Sequence, residues 1–279
     1  MGETVACANQ KGGVGKTTTV VNLATYLALA GRSVLVVDLD PQGNATSGLG
    51  VDRAAVVQST YEALTDDVAV DELIVDTAIP RLRLLPSAMA LAGAEVELAS
   101  MSQRERRLGR ALGSIHEAFD HILIDCPPSL GLLTVNGLTS ADQVLIPLQC
   151  EYYALEGLNQ LIATINLIRD HLNPALTIKG VLLTMYDART KLAADVAAEA
   201  RRHLGDRVFT TVIPRSVRLS EAPSYGQPIA AYRPDSAGAE AYRRVTQEYL
   251  GRQGLTVDVP AIAQPVPDAR VADEQEGAA

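Results

Sequence analysis

The sequence predicts an α/β fold, a mostly parallel twisted sheet with helices on both faces, organised as a P-loop nucleotide-binding domain. Three observations carry this. Strand-length apolar runs alternate with helix-length amphipathic runs through most of the 279 residues, the pattern of a sheet covered on both sides. The first apolar run, residues 4–8, leads into a glycine-rich segment at 9–18 and then a helical stretch at 19–30. Two later runs place aspartates at their carboxyl ends, where open α/β sheets bind ligands: 34–38 followed by Asp40, and 121–125 ending in Asp125.

Taken in order, the strands are residues 4–8, 34–38, 82–86, 121–125, 143–148, 178–185 and 209–213, each short and rich in Val, Ile or Leu. The run at 82–86 stops at Pro86, which cannot donate to a ladder. Between them, apolar residues recur at helical spacing over 103–118, 155–172 and 192–204. A last helix at 236–250 puts Tyr242, Val245 and Tyr249 on one face. Past Gly251 the composition changes: residues 253–279 hold three prolines and five acidic residues against one arginine. This divides the chain into a P-loop α/β domain at 1–252 and a disordered acidic tail at 253–279.

Residues 9–18 read Asn-Gln-Lys-Gly-Gly-Val-Gly-Lys-Thr-Thr. Gly12, Gly13 and Gly15 let backbone N–H groups turn inward around phosphate oxygens, where a Cβ would obstruct the approach. Val14 and Thr18 complete the loop. Lys16 reaches the β- and γ-phosphates, and the Thr17 hydroxyl ligates Mg²⁺. The helix that follows adds a partial positive charge at its N-terminus. The common spacing Gly-x4-Gly-Lys-Ser/Thr would put glycine at position 10, where this chain has Gln10. A second lysine, Lys11, precedes the paired glycines instead, placed to reach a nucleotide held by a second subunit.

This loop resembles the deviant Walker A motif of the ParA/MinD ATPases, whose signature lysine crosses an ATP-sandwich dimer. Segments 37–46 (with Asp38-Leu39-Asp40-Pro41-Gln42-Gly43), 124–131 (with Asp125-Cys126-Pro127-Pro128), 149–157, 180–189 and 212–224 narrow the resemblance to chromosomal ParA proteins of the Soj type. It runs from about residue 2 to residue 250. It implies an ATP-dependent partitioning ATPase using ATP and Mg²⁺, with Lys11, Lys16 and Asp40 as catalytic residues. Asp40 would position or activate the attacking water, and Asp125, as the Walker B residue, would hold Mg²⁺ through its water shell. An aspartate at a strand end also serves as a turn or capping residue, and Asp38 reads equally as an orienter of Thr17 or as a partner for backbone donors.

The resemblance also places adenine near Pro214, Arg215 and Ser216, although many relatives carry asparagine where this chain has Ser216. It makes Gly12 and Glu151 dimer contacts, Glu151 meeting the second subunit's Lys11. Arg189 and Arg218 match positions that bind DNA, with Lys191, Arg215, Arg201 and Arg202 as further cations. The implied partners are nonspecific double-stranded DNA, a second copy of the chain in an ATP-dependent homodimer, and a ParB-type centromere-binding protein that stimulates hydrolysis. The implied location is cytoplasmic and nucleoid-associated.

Charge bears on the DNA partner. The chain has 33 Asp and Glu against 24 Lys and Arg, a net charge of −9, so it has no global basic field. Nonspecific DNA binding then needs a local cation cluster, which dimerisation would double. No apolar stretch reaches bilayer-spanning length, and no basic-then-apolar secretory signal opens the sequence. Cys7, Cys126 and Cys150 lie in or beside core strands and read as reduced thiols. Two rival readings remain. A MinD-like membrane-associated division regulator would want a basic amphipathic C-terminal helix, against the acidic residues here. A metabolic or metal-cluster carrier NTPase would want a Cys-x-x-Cys pair or a substrate-carboxylate site.

Overall fold

The structure is a computed structural model describing residues 2–66, 68–152 and 154–260. One seven-stranded sheet runs through it, made of β1 (Glu3–Cys7), β2 (Val34–Asp38), β3 (Val75–Asp76), β4 (Leu82–Leu85), β5 (His121–Asp125), β6 (Gln143–Gln149) and β7 (Thr177–Thr184). Their order is β3-β4-β2-β5-β1-β6-β7. Every pairing is parallel except the short antiparallel β3–β4 contact at one edge. Register is set by burial: Val34 and Val36 of β2 enter one core, Leu35 and Val37 the other. On the first side lie the helices Lys16–Leu29 and Ala237–Gly251. On the second lie Leu132–Ser140, Ala154–His171 and Lys191–Leu204.

Local chemistry fixes the helix ends. Ser236 caps Ala237–Gly251 by accepting from the Ala239 N–H at 3.2 Å, and Thr190 does the same for Lys191–Leu204 from Ala193 at 3.3 Å. Tyr242, Val245 and Tyr249 are at most 1% exposed, as the face pattern requires. Tyr242 also shares a 3.2 Å hydrogen bond with Thr19 of the P-loop helix. At the amino ends of the strands, Glu3 ties the far helix to the sheet. It accepts from Lys179 Nζ at 2.7 Å and from Tyr249 Oη at 2.5 Å.

Three readings of the sequence need correction. Residues 209–213 are not a strand. The segment runs beside β7, with Phe209 and Ile213 N–H donating to Val181 and Leu183, but the amides of Thr210 and Thr211 donate to the Glu248 carboxylate at 2.7 and 2.9 Å. Two donors taken by a side chain leave only isolated bridges at Val208 and Pro214. Residues 103–118 are likewise not one helix but a 3-10 turn, a short helix Arg107–Leu112 and a second 3-10 turn. Asn136 stabilises the first break, accepting from Leu108 N–H at 3.1 Å and donating to the Arg104 carbonyl at 2.7 Å.

The packed chain also continues past 252. Val259 is 1% exposed and belongs to the same core as Tyr26 and Val245, and its carbonyl accepts from Arg243 at 3.4 Å. The remainder of the expected tail, 261–279, lies outside the described residues. Cys7, Cys126 and Cys150 are buried free thiols. Cys7 packs on one side of the sheet and Cys126 on the other.

Candidate nucleotide site

β1 sits centrally, flanked by β5 and β6, so the loop leaving it opens at the middle of the sheet's carboxyl edge. Gly13 and Gly15 take φ of 74° and 89°, left-handed conformations that side chains resist, which aim the loop's amides into one hollow. Thr184 at the end of β7 steadies the loop by donating to the Val14 carbonyl at 2.8 Å. The helix beginning at Lys16 points its N-terminus at the same hollow. Lys16 itself is 7% exposed, with Nζ donating to the Lys11 carbonyl at 3.3 Å.

The hollow is a cleft of about 380 Å³ lined by Gly12, Gly13, Gly15, Lys16, Thr17 and Thr18 on the loop side and by Asp40 and Pro128 opposite. A neighbouring recess of about 290 Å³ shares Gly15, Thr18, Met185, Leu219 and Pro223 with it and adds Pro214, Arg215 and Ser216. Of the sequence-predicted nucleotide residues, Gly12, Gly13, Gly15, Lys16, Thr17, Thr18, Pro214, Arg215 and Ser216 line these two adjoining hollows, whereas Val14 is buried and Lys11 lines neither. Pattern reading missed several lining residues, including Asn22, Met185, Leu219 and Gln227. Met185 turns out of β7 with φ of 50°, unusual for a non-glycine residue, and so reaches both hollows. Nothing in its apolar run signals that turn.

The acidic residues divide by environment. Asp38 is fully buried, accepting from Thr46 N–H at 2.8 Å, Thr46 Oγ1 at 2.7 Å and Asp40 N–H at 3.1 Å. Burial lifts its carboxyl to about 6 in spite of those bonds. Its role is thus to hold the loop carrying Asp40. Asp40 is 8% exposed and lines the cleft, with Oδ1 accepting the Gln42 N–H at 3.0 Å. Asp125 is different: fully buried, it has neither carboxylate oxygen hydrogen-bonded among the described residues. Burial lifts its carboxyl well above the usual range and the Asp38 charge adds to that, while Thr17 and Lys16 oppose it. A buried carboxylate without partners, beside a threonine hydroxyl and a lysine, fits a magnesium ion with its water shell.

Lys11 lies apart. Its half-exposed ammonium donates to Glu151 Oε2 of the same chain at 2.8 Å, and Glu151 also accepts from Gln149. Glu151, expected to meet a second subunit's Lys11, pairs here with the Lys11 of its own chain. Arg189 is 87% exposed at its side chain and donates to both Asp187 oxygens at 2.9 and 2.7 Å. Arg218 donates to Glu221 at 2.8 Å. The two loops adjoin, because Tyr186 and Pro214 form a bridge and Arg215 N–H donates to the Tyr186 carbonyl at 3.1 Å.

A family model described as an AAA domain matches residues 2–178. The chain is 56% identical over 248 residues to the sporulation initiation inhibitor protein Soj of Bacillus subtilis (strain 168), covering 89% of this chain and 98% of that protein. It is 51% identical over 252 residues to the chromosome partitioning protein ParA of Myxococcus xanthus (strain DK1622), covering 90% and 89%. The chain belongs to the Soj/ParA family of chromosome-partitioning ATPases.

Solved structures agree with a Soj/ParA fold. The cobyrinic acid a,c-diamide synthase of Mycobacterium smegmatis, with bound ADP and magnesium, superposes with a TM-score of 0.80 at 39% identity, covering 93% of this chain and 99% of that one. The cell division ATPase MinD of Pyrococcus furiosus gives 0.75 at 28% identity, covering 89% and 98%. Both the metabolic and the division readings thus have neighbours with the same architecture. The Soj/ParA relatives share far more of the sequence. Among the described residues of this Soj/ParA ATPase, no helix is long and apolar enough to cross a membrane.

Proposed function

We propose that ATP and Mg²⁺ close two copies of this ATPase into a sandwich dimer that binds duplex DNA without sequence preference. A ParB-type partner then stimulates hydrolysis and releases the DNA, and repetition of that cycle segregates replicated origins. The observation that carries the reading is the position of Lys11. Its side chain is half exposed and outside the cleft that Lys16 enters, which leaves its ammonium available to a nucleotide held by a second copy. Glu151 then exchanges its own chain's Lys11 for the partner's.

In this scheme the amides of 12–16 and the Lys16 ammonium bind the β- and γ-phosphates, and Thr17 and Asp125 hold the metal site. Magnesium supplies charge neutralisation on the phosphate oxygens. Asp40 accepts a hydrogen bond from the attacking water and orients it, with its own loop held by Asp38. The recess at Pro214–Ser216 receives the base through backbone groups and the apolar faces of Met185 and Leu219. Arg189 and Arg218 face the duplex, and two copies double a patch that a chain of net charge −9 cannot supply globally.

The test is DNA co-sedimentation with ATP, ADP and a nonhydrolysable analogue, with and without the ParB-type protein. Retention with ATP and the analogue, and release when the partner is added with ATP, is the expected result. DNA retention indifferent to nucleotide would end the reading. Binding instead to anionic vesicles with ATP would favour the division-regulator alternative.

A further inference from the structure

Both arginines of the proposed duplex surface are already occupied by carboxylates of their own chain. Arg189 is clasped by Asp187 through two hydrogen bonds, and Arg218 Nη1 donates to Glu221 Oε2 at 2.8 Å across one turn of the helix Val217–Glu221. The second pair sits in a larger cluster. Tyr232 Oη donates to the same Glu221 oxygen at 3.2 Å, and the half-exposed Tyr225 stacks on Tyr232 with ring centroids 4.8 Å apart. The Arg233 guanidinium lies 5.4 Å from the Tyr232 ring centroid. Arg218 foremost, with Tyr232 and Arg233 helping, holds the Glu221 carboxyl below its ordinary range.

We propose that Glu221, with Asp187 as its counterpart, is a built-in mask that keeps a single subunit's duplex-binding surface below the threshold for holding DNA. This rests on the DNA reading above. An arginine paired with its own carboxylate releases few counterions when a phosphate arrives, and the phosphate also meets that carboxylate's charge. One subunit then has little net attraction for DNA. Two subunits on one duplex share the cost of forming the first contact, so binding rises steeply on dimerisation. Arg233, beside Glu221, is a further phosphate-facing cation of the same patch. The phosphate backbone is the ligand class, because the cluster offers exposed guanidinium and phenol donors, the groups that pair with phosphate oxygens.

Glu221→Gln removes the charge while keeping the shape, and Asp187→Asn does the same at Arg189. Nucleotide-free parent and variants, with their monomeric state checked by size exclusion, are titrated with a fluorescent duplex over a range of salt. Glu221→Gln should bind about threefold tighter or better, with the slope of log affinity against log salt steeper by about one. Glu221→Asp should stay near the parent. If both neutral variants match the parent while the parent's ATP form binds DNA, the mask is wrong and the DNA reading stands. Neutral variants that dimerise without ATP would assign any gain to association and also overturn it. If no protein binds the duplex in any nucleotide state, the DNA reading falls and the mask falls with it.

Discussion

Lys11 and Glu151 form an ion pair inside one chain, Nζ to Oε2 at 2.8 Å, across 140 positions of sequence. Both side chains are nearly half exposed, so solvent screens the pair and its worth is at most about 1 kcal/mol. A lysine held this weakly lies outside the cleft without being locked in place. Glu151→Gln should therefore change monomer stability by less than about 1 kcal/mol in urea unfolding. It should also lower the ATP-dependent dimer fraction, since the same carboxylate is proposed to receive the partner subunit's Lys11. A dimer fraction at or above the parental one would confine Glu151 to its own chain.

A substitution at Gly12 should separate nucleotide binding from association. A Cβ built there meets only the Pro128 Cβ, at 3.9 Å, which is ordinary contact. Gly12→Val should fold and keep some ATP binding, weakened because Gly12 lines the cleft, yet fail to dimerise because the branched side chain stands on the proposed dimer face. Lys16→Ala, by contrast, should lose ATP binding altogether, since the loop gives up its main charge for the phosphates. Nucleotide titration followed by size exclusion distinguishes the two; normal dimerisation of Gly12→Val would count against the crossing lysine.

Asp40 makes one side-chain hydrogen bond among the described residues, to the Gln42 amide, so removing it disturbs little else. Asp40→Ala should bind ATP normally and persist as a dimer on DNA. Its steady-state hydrolysis should fall at least about tenfold, roughly 1.4 kcal/mol of barrier. Parental turnover would reassign Asp40 as a structural residue.

Charge reversal at the proposed duplex surface should spare the nucleotide site. Arg189→Glu and Arg218→Glu are each expected to impair DNA binding while ATP-dependent dimerisation continues, as neither residue lines the nucleotide cleft. The parent's affinity should fall steeply with salt and differ little between two unrelated duplexes. Undiminished affinity in both variants would move the surface elsewhere, and a strong preference for one duplex would indicate a site-specific regulator.

Acid should act through Glu3. Burial alone would raise its carboxyl, but His121, Lys179 and Tyr249 outweigh that and hold it at about 2 against an ordinary 4.5. A carboxyl depressed in the folded state stabilises the fold above about 4.5 and loses that contribution as pH falls toward 2. The interval corresponds to roughly 3 kcal/mol. Glu3→Gln should therefore be clearly less stable than the parent at pH 7, with the gap narrowing between pH 4.5 and pH 2. A gap independent of pH, measured by urea midpoints, would mean that packing and not charge is what the variant loses.

Much of this was readable from the chain because the relevant signals are local. Glycines before Lys16-Thr17, apolar runs ending at Asp38 and Asp125, and the 3.6-residue spacing of Tyr242, Val245 and Tyr249 are each visible within a dozen residues. What stayed hidden depends on contacts between distant segments. Glu248 takes the amides of Thr210 and Thr211 out of the sheet, and Asn136 splits a helix more than 20 positions away. Met185 has to turn with positive φ for its side chain to reach the cleft, and an apolar run ending in methionine gives no hint of that. Asp187 lies two positions from Arg189 and Glu221 three from Arg218, yet the reading of the sequence paired neither arginine with a carboxylate. Spacing alone does not distinguish such pairs from solvated neighbours.

The departure of residues 209–213 from the sheet has a consequence for self-association. An edge strand such as β7 would otherwise present a row of open amides and carbonyls to any passing chain. Here Phe209 and Ile213 occupy two of its carbonyls, and the amides of Thr210 and Thr211, which would be the next template, are consumed by Glu248. Docking by strand addition is thereby discouraged along that border. If pairing answers to a nucleotide as proposed, closing a route of contact that would ignore the nucleotide matters as much as building the one that obeys it.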